Sequence, residues 1–274
     1  MNIIIEEKGA RVSVYEDPFN KRIRIDDYAG PLTQVMTLIR RQTPGWIEKI
    51  IVKSRSGDLP FFIAQGFCCE AFIRGYFDGA DMFFAVMYRE AGREVSLKWH
   101  EEQLILKNII SSQKDVSSEP GPVLMIATQS DAKELAELYA AVFKLYPTPV
   151  GEPQHILKTI VEGTLYAYIR EEGKIVSAAS AEINKSFLNA ELTDCASLDR
   201  VQGKGHMKKL LSFLEQQLTM QGIRCLYSIA RAESPGMNKA FYQLKYTYGG
   251  RLINNCYIWS GLEDMNVWYK VYYD

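Results

Sequence analysis

Histidine is scarce in this sequence, and long apolar runs are missing from it. Three histidines stand among 274 residues, and the five cysteines are scattered without CxxC spacing. This composition argues against a zinc site or a disulfide framework and fits reduced core thiols. No run approaches the ~18 apolar residues of a membrane span, and the start of the chain lacks the basic and apolar regions of a signal peptide. We therefore expect a cytoplasmic globular protein with no metal site.

The sequence also lacks an excess of charge of either sign. Lysine and arginine number 32 against 33 aspartates and glutamates, so the formal net charge is −1. Proteins that bind nucleic acids concentrate positive charge on one face, and the intermixed charges here give no such pattern. Hydrophobic residues make up 47% of the chain, enough to bury one large core or two ordinary ones. We expect neither a nucleic acid nor a membrane as a partner.

A polar segment divides the sequence into two parts. Residues 111–122 (SSQKDVSSEPGP) are rich in Ser, Gly and Pro and have no apolar periodicity, which is typical of a connection. Just before it, the apolar spacing over 96–110 predicts a helix. We expect an N-terminal domain over 1–110, a linker over 111–121 and a C-terminal domain over 122–274.

Periodicity in the C-terminal part predicts a mixed α/β fold. The pattern is β-α-α-β-β-β-α-β-α-β-β, with an antiparallel hairpin that turns at residues 172–173. Thr128 and Asp131 have the spacing of a capping box at a helix start. A strand near 190–198 leads into a glycine turn and then into a strongly amphipathic helix that ends at Gly222. The expected architecture is a mixed sheet with helices on both faces.

The glycine turn, QGKGHM at residues 202–207, connects that strand to the amphipathic helix. Such a turn presents unpaired backbone N–H groups and the positive end of a helix to an anion, most often a phosphate. The spacing does not match the Walker A loop GxxxxGK[ST], and Lys208 stands where a GxGxxG dinucleotide fingerprint has its third glycine. A tight turn without a ligand is the remaining alternative.

The order of elements around this turn resembles the GCN5-related N-acetyltransferase family, in which a central, mostly antiparallel sheet is flanked by helices. A Q/R-x-x-G-x-G/A loop of that family wraps the pyrophosphate of acetyl-CoA. The resemblance covers residues 122–274 and implies acetyl-CoA as the cosubstrate. The cofactor-binding loop that it implies consists of Gln202, Gly203, Lys204, Gly205, His206 and Met207. Met207 departs from the usual Gly or Ala, and Arg200-x-x-Gly203-x-Gly205 is an alternative register.

The resemblance extends to a later helix, where the family often has an Asn followed by Y-x-x-x-G-F. Asn238 matches the first position and is implied to lie at the cofactor. Aligning Leu244–Tyr246 with the end of the motif puts Phe241 at the tyrosine position and Tyr242 one residue further on. A phenol with a pKa of about 10 can protonate the departing thiolate, which makes Tyr242 the candidate acid. Core packing is the alternative for a helical tyrosine.

The resemblance narrows to the β-lysine N6-acetyltransferases, which act beside lysine 2,3-aminomutase. The segments YPTP at 146–149, QGKGHMKKLL at 202–211 and KYTYGGRLINNCYIWSGLEDMNVWYK near the C-terminus carry it. It implies acetylation of β-lysine at N6, a functional link to the aminomutase, and Tyr146 in the substrate site. No single residue of the sequence requires the substrate to be β-lysine rather than another amine. Another small amine, a protein amine, or a non-catalytic acyl-CoA sensor stays open.

Acetyl transfer needs a group that takes a proton from the acceptor, because a lysine-type ammonium has a pKa of about 10.4. Strand alternation places Glu191 and Asp194 on opposite faces, so only one of them should reach the acceptor. Asp194 lies nearer to the glycine turn and is our candidate for base or ammonium recognition, with Glu182 as a second substrate contact. A solvated strand position is the alternative. The resemblance also implies that backbone N–H groups at the end of this strand bind the thioester carbonyl and stabilise the oxyanion. These are the N–H groups of Ala196, Ser197 and Leu198.

The N-terminal part has no QxxGxG loop, but its pattern is similar to that of the end of the chain. Residues 49–89 and the last strands share a strand-helix-strand-strand order, with Gly79 and Asp81-Met82 in one and Gly261 and Asp264-Met265 in the other. We interpret this part as a degenerate transferase-like half that packs against the active half and completes the acceptor pocket. A linker or a separate binding module is the alternative.

Overall fold

The computed structural model describes residues 2–112, 122–144, 148–258 and 261–272, which form thirteen strands and seven α-helices. The strands are β1 (Asn2–Glu7), β2 (Ala10–Asp17), β3 (Arg22–Ala29), β4 (Lys49–Arg55), β5 (Cys68–Phe77), β6 (Ala80–Tyr88), β7 (Leu124–Ile126), β8 (Leu165–Glu171), β9 (Lys174–Asn184), β10 (Asn189–Ser197), β11 (Cys225–Arg231), β12 (Thr247–Ile258) and β13 (Gly261–Val271). The helices are α1 (Leu32–Arg41), α2 (Leu59–Ala64), α3 (Trp99–Ile110), α4 (Ala132–Val142), α5 (Pro153–Glu162), α6 (His206–Met220) and α7 (Pro235–Gln243).

One sheet contains all of these strands, in the order β1-β2-β3-β4-β6-β5-β12-β13-β11-β10-β9-β8-β7. Neighbouring strands run antiparallel except for β3–β4 and β10–β11, which are parallel. The N-terminal part supplies β1 to β6 and the C-terminal part supplies β7 to β13. The prediction of a mixed, mostly antiparallel sheet flanked by helices is confirmed.

The two halves of this sheet have the same topology. The series β1-β2-β3-α1-β4-α2-β5-β6 and β8-β9-β10-α6-β11-α7-β12-β13 match element by element, including the parallel pair that each long helix connects. This correspondence supports the interpretation of the N-terminal part as a degenerate transferase-like half. The domain boundaries themselves stay a prediction, and residues 113–121 of the expected linker lie outside the described residues.

The halves are joined where β5 meets β12, with Ala71 paired to Gly250. A Cβ atom at Gly249 would lie 2.2 Å from the carbonyl oxygen of Phe72, and one at Gly250 would lie 2.4 Å from that of Glu70. Gly250 also has a φ of +128°. Only glycine permits so close an approach of two backbones in this conformation.

Charged side chains are buried along the same junction. Lys49 is fully buried, and its Nζ lies 2.9 Å from Glu70 Oε2 and 2.6 Å from the carbonyl oxygen of Ile253. Arg22 donates from Nη1 to the carbonyl oxygen of Asn255 at 2.9 Å. Because a buried cation is costly unless it is paired, these contacts fix how the halves dock.

Helices cover both faces of the C-terminal half, as the sequence predicts. On one face α6 packs Leu210 and Leu214 against the sheet, and on the other α4 and α5 bury Leu135, Tyr139 and Ile156. In the N-terminal half α1 and α2 cover one face, and the other face shares a core with β11, β12 and β13. The two halves therefore pack against each other through their strands.

Local predictions for the C-terminal half are confirmed. The side chains of Thr128 and Asp131 form the capping box, and β8 turns into β9 at residues 172–173. Helix α6 runs over His206–Met220, and Gly222 follows it with a φ of +79°. Among the described residues, no helix is both long enough and apolar enough to cross a membrane.

Candidate active site

Two parallel strands separate in the middle of the C-terminal half. β10 and β11 pair only over residues 189–191 and 225–227. Beyond these residues β10 continues to Ser197 and β11 to Arg231, and the two strands diverge. We call the resulting gap the fork. It holds a cavity of about 140 Å³, which gives a ligand access between two strands of the sheet.

A β-bulge in β10 shapes the fork. The register with β9 shifts between Thr193, which pairs with Ser180, and Ala196, which pairs with Ala178. Asp194 lies inside the bulge with a φ of +47°, in the left-handed region that a non-glycine residue rarely adopts. Its Oδ2 atom accepts a hydrogen bond of 2.7 Å from the Ser180 hydroxyl. This contact holds the carboxylate in a fixed position beside the fork.

The glycine turn connects the end of β10 to α6. Gly203 and Gly205 have φ angles of +80° and +74°, and a Cβ atom at either would meet nothing within 4 Å. These glycines therefore serve backbone conformation and open access rather than packing. Because α6 begins at His206, the N–H groups of its first turn have no acceptor within the helix. The turn thus fits a diphosphate, which accepts hydrogen bonds and is attracted by the helix dipole.

Basic side chains surround this turn. Lys204 and Arg200, each about half exposed, lie 3.5 Å and 3.6 Å from Glu171 Oε2. His206 is buried, with Nδ1 at 3.3 Å from the Ser177 hydroxyl and Nε2 at 3.6 Å from Glu171. Burial lowers the pKa of His206. The His206 ring therefore lies beneath the turn, so its contribution to an anion is the backbone N–H.

The end of β10 directs one of its last backbone N–H groups into the fork. The N–H of Leu198 donates to the carbonyl oxygen of Val176 at 3.0 Å, on the β9 side. Successive residues of a strand direct their N–H groups to alternate sides, so the N–H of Ala196 also points to β9 and that of Ser197 points to the fork. Among the three residues predicted to hold the carbonyl, Ser197 has the suitable orientation.

A second cavity, of about 320 Å³, lies between the two halves; we call it the interface cavity. The N-terminal half lines it with Tyr15 and Arg24, and the C-terminal half lines it with three carboxylates. The residues that it shares with the fork cavity are Thr193, Asp194, Ile229, Ile258 and Met265. A molecule in the interface cavity can therefore meet a group in the fork beside Asp194.

The three carboxylates that the C-terminal half contributes are Glu182, Glu191 and Asp194, whereas Asp17 of the N-terminal half also lines the cavity but is paired with Arg22. Glu182 and Glu191 lie directly opposite each other in the pairing of β9 with β10. Glu182 is exposed at the cavity wall, where desolvation by its surroundings, together with repulsion from Glu191 and Asp194, raises its pKa to about 7. Burial also raises the pKa of Glu191, against the opposite effects of Arg24 and Lys53. The cavity therefore favours a cationic ligand that relieves this repulsion.

The bulge corrects one expectation from the sequence. Regular alternation along β10 separates Glu191 from Asp194, whereas in the structure both residues line the same cavity. The residue added at the bulge, with its left-handed conformation, changes the direction of the Asp194 side chain. Both acids can therefore act on one ligand.

Cations of the N-terminal half face these acids. Arg24 contacts Asp26 through Nε at 2.6 Å and through Nη2 at 3.1 Å, and Lys53 Nζ lies 2.8 Å from the same carboxylate. Burial alone would raise the pKa of Asp26, but Lys53 and Arg24 hold it well below its usual range. The Arg24 guanidinium also lies 4.9 Å from the centre of the Tyr15 ring. Two cations that share one anion leave net positive charge at this wall.

Curated relatives align with most of the chain. N-acetyltransferase YodP of Bacillus subtilis (strain 168) is 37% identical over 269 residues, which cover 97% of this chain and 98% of the relative. The chain belongs to the GCN5-related N-acetyltransferase family. The family predicted from the sequence is therefore confirmed, and this acetyltransferase uses acetyl-CoA as its cosubstrate.

Two further relatives of this acetyltransferase carry a more specific name. The β-lysine N6-acetyltransferase of Methanosarcina mazei is 38% identical, with 75% of this chain and 84% of the relative covered. That of Methanococcus maripaludis is 34% identical, with 82% and 83% covered. A search of protein-family models gives no match. Among solved structures, the putative acetyltransferase YncA of Salmonella typhimurium, with its cofactor acetyl-CoA, is 16% identical, with a TM-score of 0.48 and 57% and 96% of the two chains covered.

Asn238 has a structural role in this acetyltransferase. Its Nδ2 donates to the carbonyl oxygens of Arg231 and Ser234, both at 2.8 Å. Its Oδ1 accepts from Asn266 at 2.9 Å and from Trp268 at 2.8 Å. Both amide hydrogens and both lone pairs are thus used to hold α7 against β11 and β13. The side chain is therefore fully engaged within the protein, and a contact of Asn238 with the cofactor stays a prediction.

Tyr242 lies away from both cavities of the acetyltransferase. Its hydroxyl donates to the carbonyl oxygen of Ile110 at 2.8 Å, at the end of α3. Met237 of α7 and Ser234, which directly precedes this helix, line the fork cavity. Phe241, at the family's tyrosine position, is fully buried in the core. The structure therefore favours a role for Tyr242 in packing α3 against α7.

The remaining residues predicted from the sequence are Tyr146, in the substrate site, and Met207, in the glycine turn. Tyr146 lies outside the described residues, so its predicted substrate contact stays a prediction. Met207 packs its side chain against the core beneath α6, which explains how a bulky residue is accommodated at this position. Cys195 also lines the fork cavity, and burial raises the pKa of its thiol, so this cysteine is a poor nucleophile at neutral pH. The described residues contain no group of three or more His, Cys, Asp or Glu placed to hold a metal ion.

Sequence reasoning did not find Arg24 and Tyr15. Neither belongs to a motif, and the alternating pattern of β3 (RIRID) is typical of any strand with one solvated face. Only the joining of the two halves brings β2 and β3 opposite β9 and β10. Recognising these residues from sequence would have required the long-range packing itself.

Proposed function

We propose that this acetyltransferase transfers an acetyl group from acetyl-CoA to a primary amine of a small molecule, specifically the N6 amine of β-lysine. The observation that carries the proposal is the direct connection between the fork and the interface cavity at Asp194. The fork, with the glycine turn at its end, suits the acyl donor. The interface cavity, with the three carboxylates of its C-terminal wall, suits a cationic acceptor.

The dimensions of the interface cavity favour a small acceptor over a protein. The cavity has a volume of about 320 Å³ and lies between the two halves of the chain. A protein lysine or N-terminus would instead need an open groove for the flanking peptide. β-Lysine carries two ammonium groups and one carboxylate. The three acids can bind the ammonium groups through charge-assisted hydrogen bonds. The names of two relatives support the same substrate.

Different residues of the chain carry the proton transfer, the stabilisation of the carbonyl oxygen and the binding of the diphosphate. Bound acetyl-CoA supplies an activated acyl group as its thioester. Asp194, at the junction of the cavities, accepts a proton from the acceptor ammonium, so that the free amine can attack the carbonyl carbon. The N–H of Ser197 donates to the carbonyl oxygen, where negative charge develops as the C–N bond forms. The C–S bond then breaks, and CoA leaves as a thiolate that takes up the proton released by the acylated nitrogen. Gly203, Gly205 and the first turn of α6 bind the diphosphate.

The decisive experiment is release of free CoA thiol from acetyl-CoA by the purified protein. The acceptors are β-lysine, L-lysine, ornithine, a polyamine and a lysine peptide, and a reaction without acceptor measures hydrolysis. We expect turnover with β-lysine and a product acetylated at N6, identified by mass spectrometry. Turnover only with other small amines would support the proposed acetyl transfer but contradict β-lysine as the substrate. Preference for the peptide would contradict the small-molecule proposal. The link to lysine 2,3-aminomutase stays a prediction.

A further inference from the structure

We infer that Arg24, which the N-terminal half supplies, binds the carboxylate of the acceptor and thereby restricts the enzyme to amino acids among small amines. The inference rests on the proposed function and names the group that selects its substrate class. It also assigns the N-terminal half a direct part in substrate recognition.

Arg24 is held in place but retains hydrogen-bonding capacity. Its Nε and Nη2 atoms bind Asp26, and its guanidinium packs near the Tyr15 ring. Within the described part of the chain, its third nitrogen, Nη1, donates no hydrogen bond. The side chain is 29% exposed and lines the interface cavity. A fixed guanidinium with free N–H groups in a cavity is suited to a carboxylate.

Within the described chain, the acids across the cavity do not form an ion pair with Arg24. Among the described residues its ion-pair partner is Asp26, and Asp26 also pairs with Lys53. Glu191 acts on Arg24 only through space. An ammonium group of the acceptor that binds Glu191 would displace this long-range attraction. Arg24 would then be free to attract the acceptor's own anion.

The spacing along β10 matches an amino acid that reacts at its far end. Glu191, on the Arg24 side, and Asp194, at the fork, are three residues apart, which spans at most about 10 Å of strand. In β-lysine six bonds separate N6 from the carboxylate carbon, a reach of roughly 7–8 Å when extended. N6 can therefore lie at Asp194 while the carboxylate lies at Arg24. A polyamine in the same pose would place an ammonium against the guanidinium.

The test compares β-lysine with its amide, 3,6-diaminohexanamide, which has the same shape and both amines but no carboxylate. We expect wild-type kcat/KM to favour the acid by about 10- to 100-fold, the range for a charge-assisted bidentate contact. Arg24→Met should bring this ratio close to one, mainly through the KM of the acid. Arg24→Lys, which keeps the charge without the fork of donors, should restore part of the ratio.

Arg55→Met is the matched control. Arg55 is an arginine of the N-terminal half that pairs with Asp27 at 2.7 Å, and it lines neither cavity. This variant should lose some stability while its acid-to-amide ratio stays at the wild-type value. Equal losses for acid and amide in Arg24→Met would show a structural role and overturn the inference.

The acid-to-amide ratio of the wild-type protein tests the inference even if the Arg24 variants fold poorly. An acid-to-amide ratio near one in the wild type would overturn the inference and leave the acetyltransferase proposal intact. If the preferred acceptor is another amino acid, the same comparison with its amide applies. Acceptance of carboxylate-free amines alone would also remove Arg24 from recognition. Absence of turnover on every amine would overturn the proposed function and this inference together.

Discussion

At the scale of single residues, the site depends on carboxylates that are placed unfavourably for their own ionisation. Glu182 and Glu191 oppose each other across two strands, and Asp194 adopts a left-handed backbone conformation in the bulge. A like-charge pair in a partly buried cavity lowers stability when no ligand is bound. The same arrangement strengthens the attraction for a ligand that carries two ammonium groups.

The pH dependence of the reaction should follow Glu182, whose pKa is raised to about 7. The ionised form binds the ammonium, so we expect kcat/KM for β-lysine to fall as the pH decreases below about 7. Glu182→Gln removes this group and a repelling neighbour of Glu191 and Asp194, which should move the acid limb to lower pH. The measurement is kcat/KM against pH, with the exposed Glu172→Gln as control. An unchanged limb in Glu182→Gln would show that another group titrates.

Replacing Tyr242 by Phe separates packing from catalysis. Its hydroxyl binds the Ile110 carbonyl oxygen and lies outside both cavities, so we expect a stability loss of about 1 kcal/mol and a kcat close to that of the wild type. Thermal unfolding and steady-state kinetics measure the two effects. A fall in kcat of about 10²-fold or more, the range for loss of a general acid, would restore Tyr242 to the catalytic role.

At the scale of elements, the sequence was informative where local chemistry decides the structure. The order of strands and helices in the C-terminal half, the Thr128–Asp131 capping box and the end of α6 at Gly222 follow from periodicity and terminal residues. The bulge at Asp194 could not be predicted, because it reflects a register shift between β9 and β10. Alternation within one strand contains no information about its neighbour.

The glycine turn permits a paired test at the two ends of α6. Gly205 and Gly222 have φ angles of +74° and +79°, and neither would bring a Cβ atom into contact. Substitution by Asp should therefore cost a similar conformational strain, about 1–2 kcal/mol, at both positions. Only Gly205→Asp adds a negative charge beside the diphosphate, so we expect it to weaken acetyl-CoA binding by at least about 10-fold.

Calorimetric titration of acetyl-CoA into both variants measures this difference, and thermal unfolding checks that each is folded. Gly222→Asp is the control and should bind acetyl-CoA as the wild type does. Normal acetyl-CoA affinity in a folded Gly205→Asp protein would contradict the assignment of the turn to the diphosphate.

At the scale of the whole molecule, the site belongs to neither half alone. The acids proposed to bind the acceptor come from β9 and β10, whereas Arg24 and Tyr15 come from strands on the far side of the junction. That the N-terminal part completes the acceptor pocket stays a prediction of the sequence, and the residues that we propose for this role, Arg24 and Tyr15, could not be identified from it. Their position depends on contacts between segments far apart in the chain, which no local pattern encodes.

The junction itself can be tested at Gly250. A methyl group there would lie 2.4 Å from the Glu70 carbonyl oxygen, in a backbone with a φ of +128°. We expect Gly250→Ala to lower the free energy of unfolding by about 2–4 kcal/mol through overpacking and strain. Chemical denaturation measures this loss. Gly261→Ala, in the same hairpin but with open space around it, should change stability little; equal losses would contradict the close approach.

The pairing of β5 with β12 has a consequence for synthesis on the ribosome. β5 is made early, whereas its partner β12 is among the last strands to emerge, since Ala71 pairs with Gly250. Throughout most of translation the N-terminal half therefore has an open strand edge, which other nascent chains can bind. We expect early termination products of this protein to aggregate, and chaperones to be needed longest for the strand that the C-terminal half finally covers.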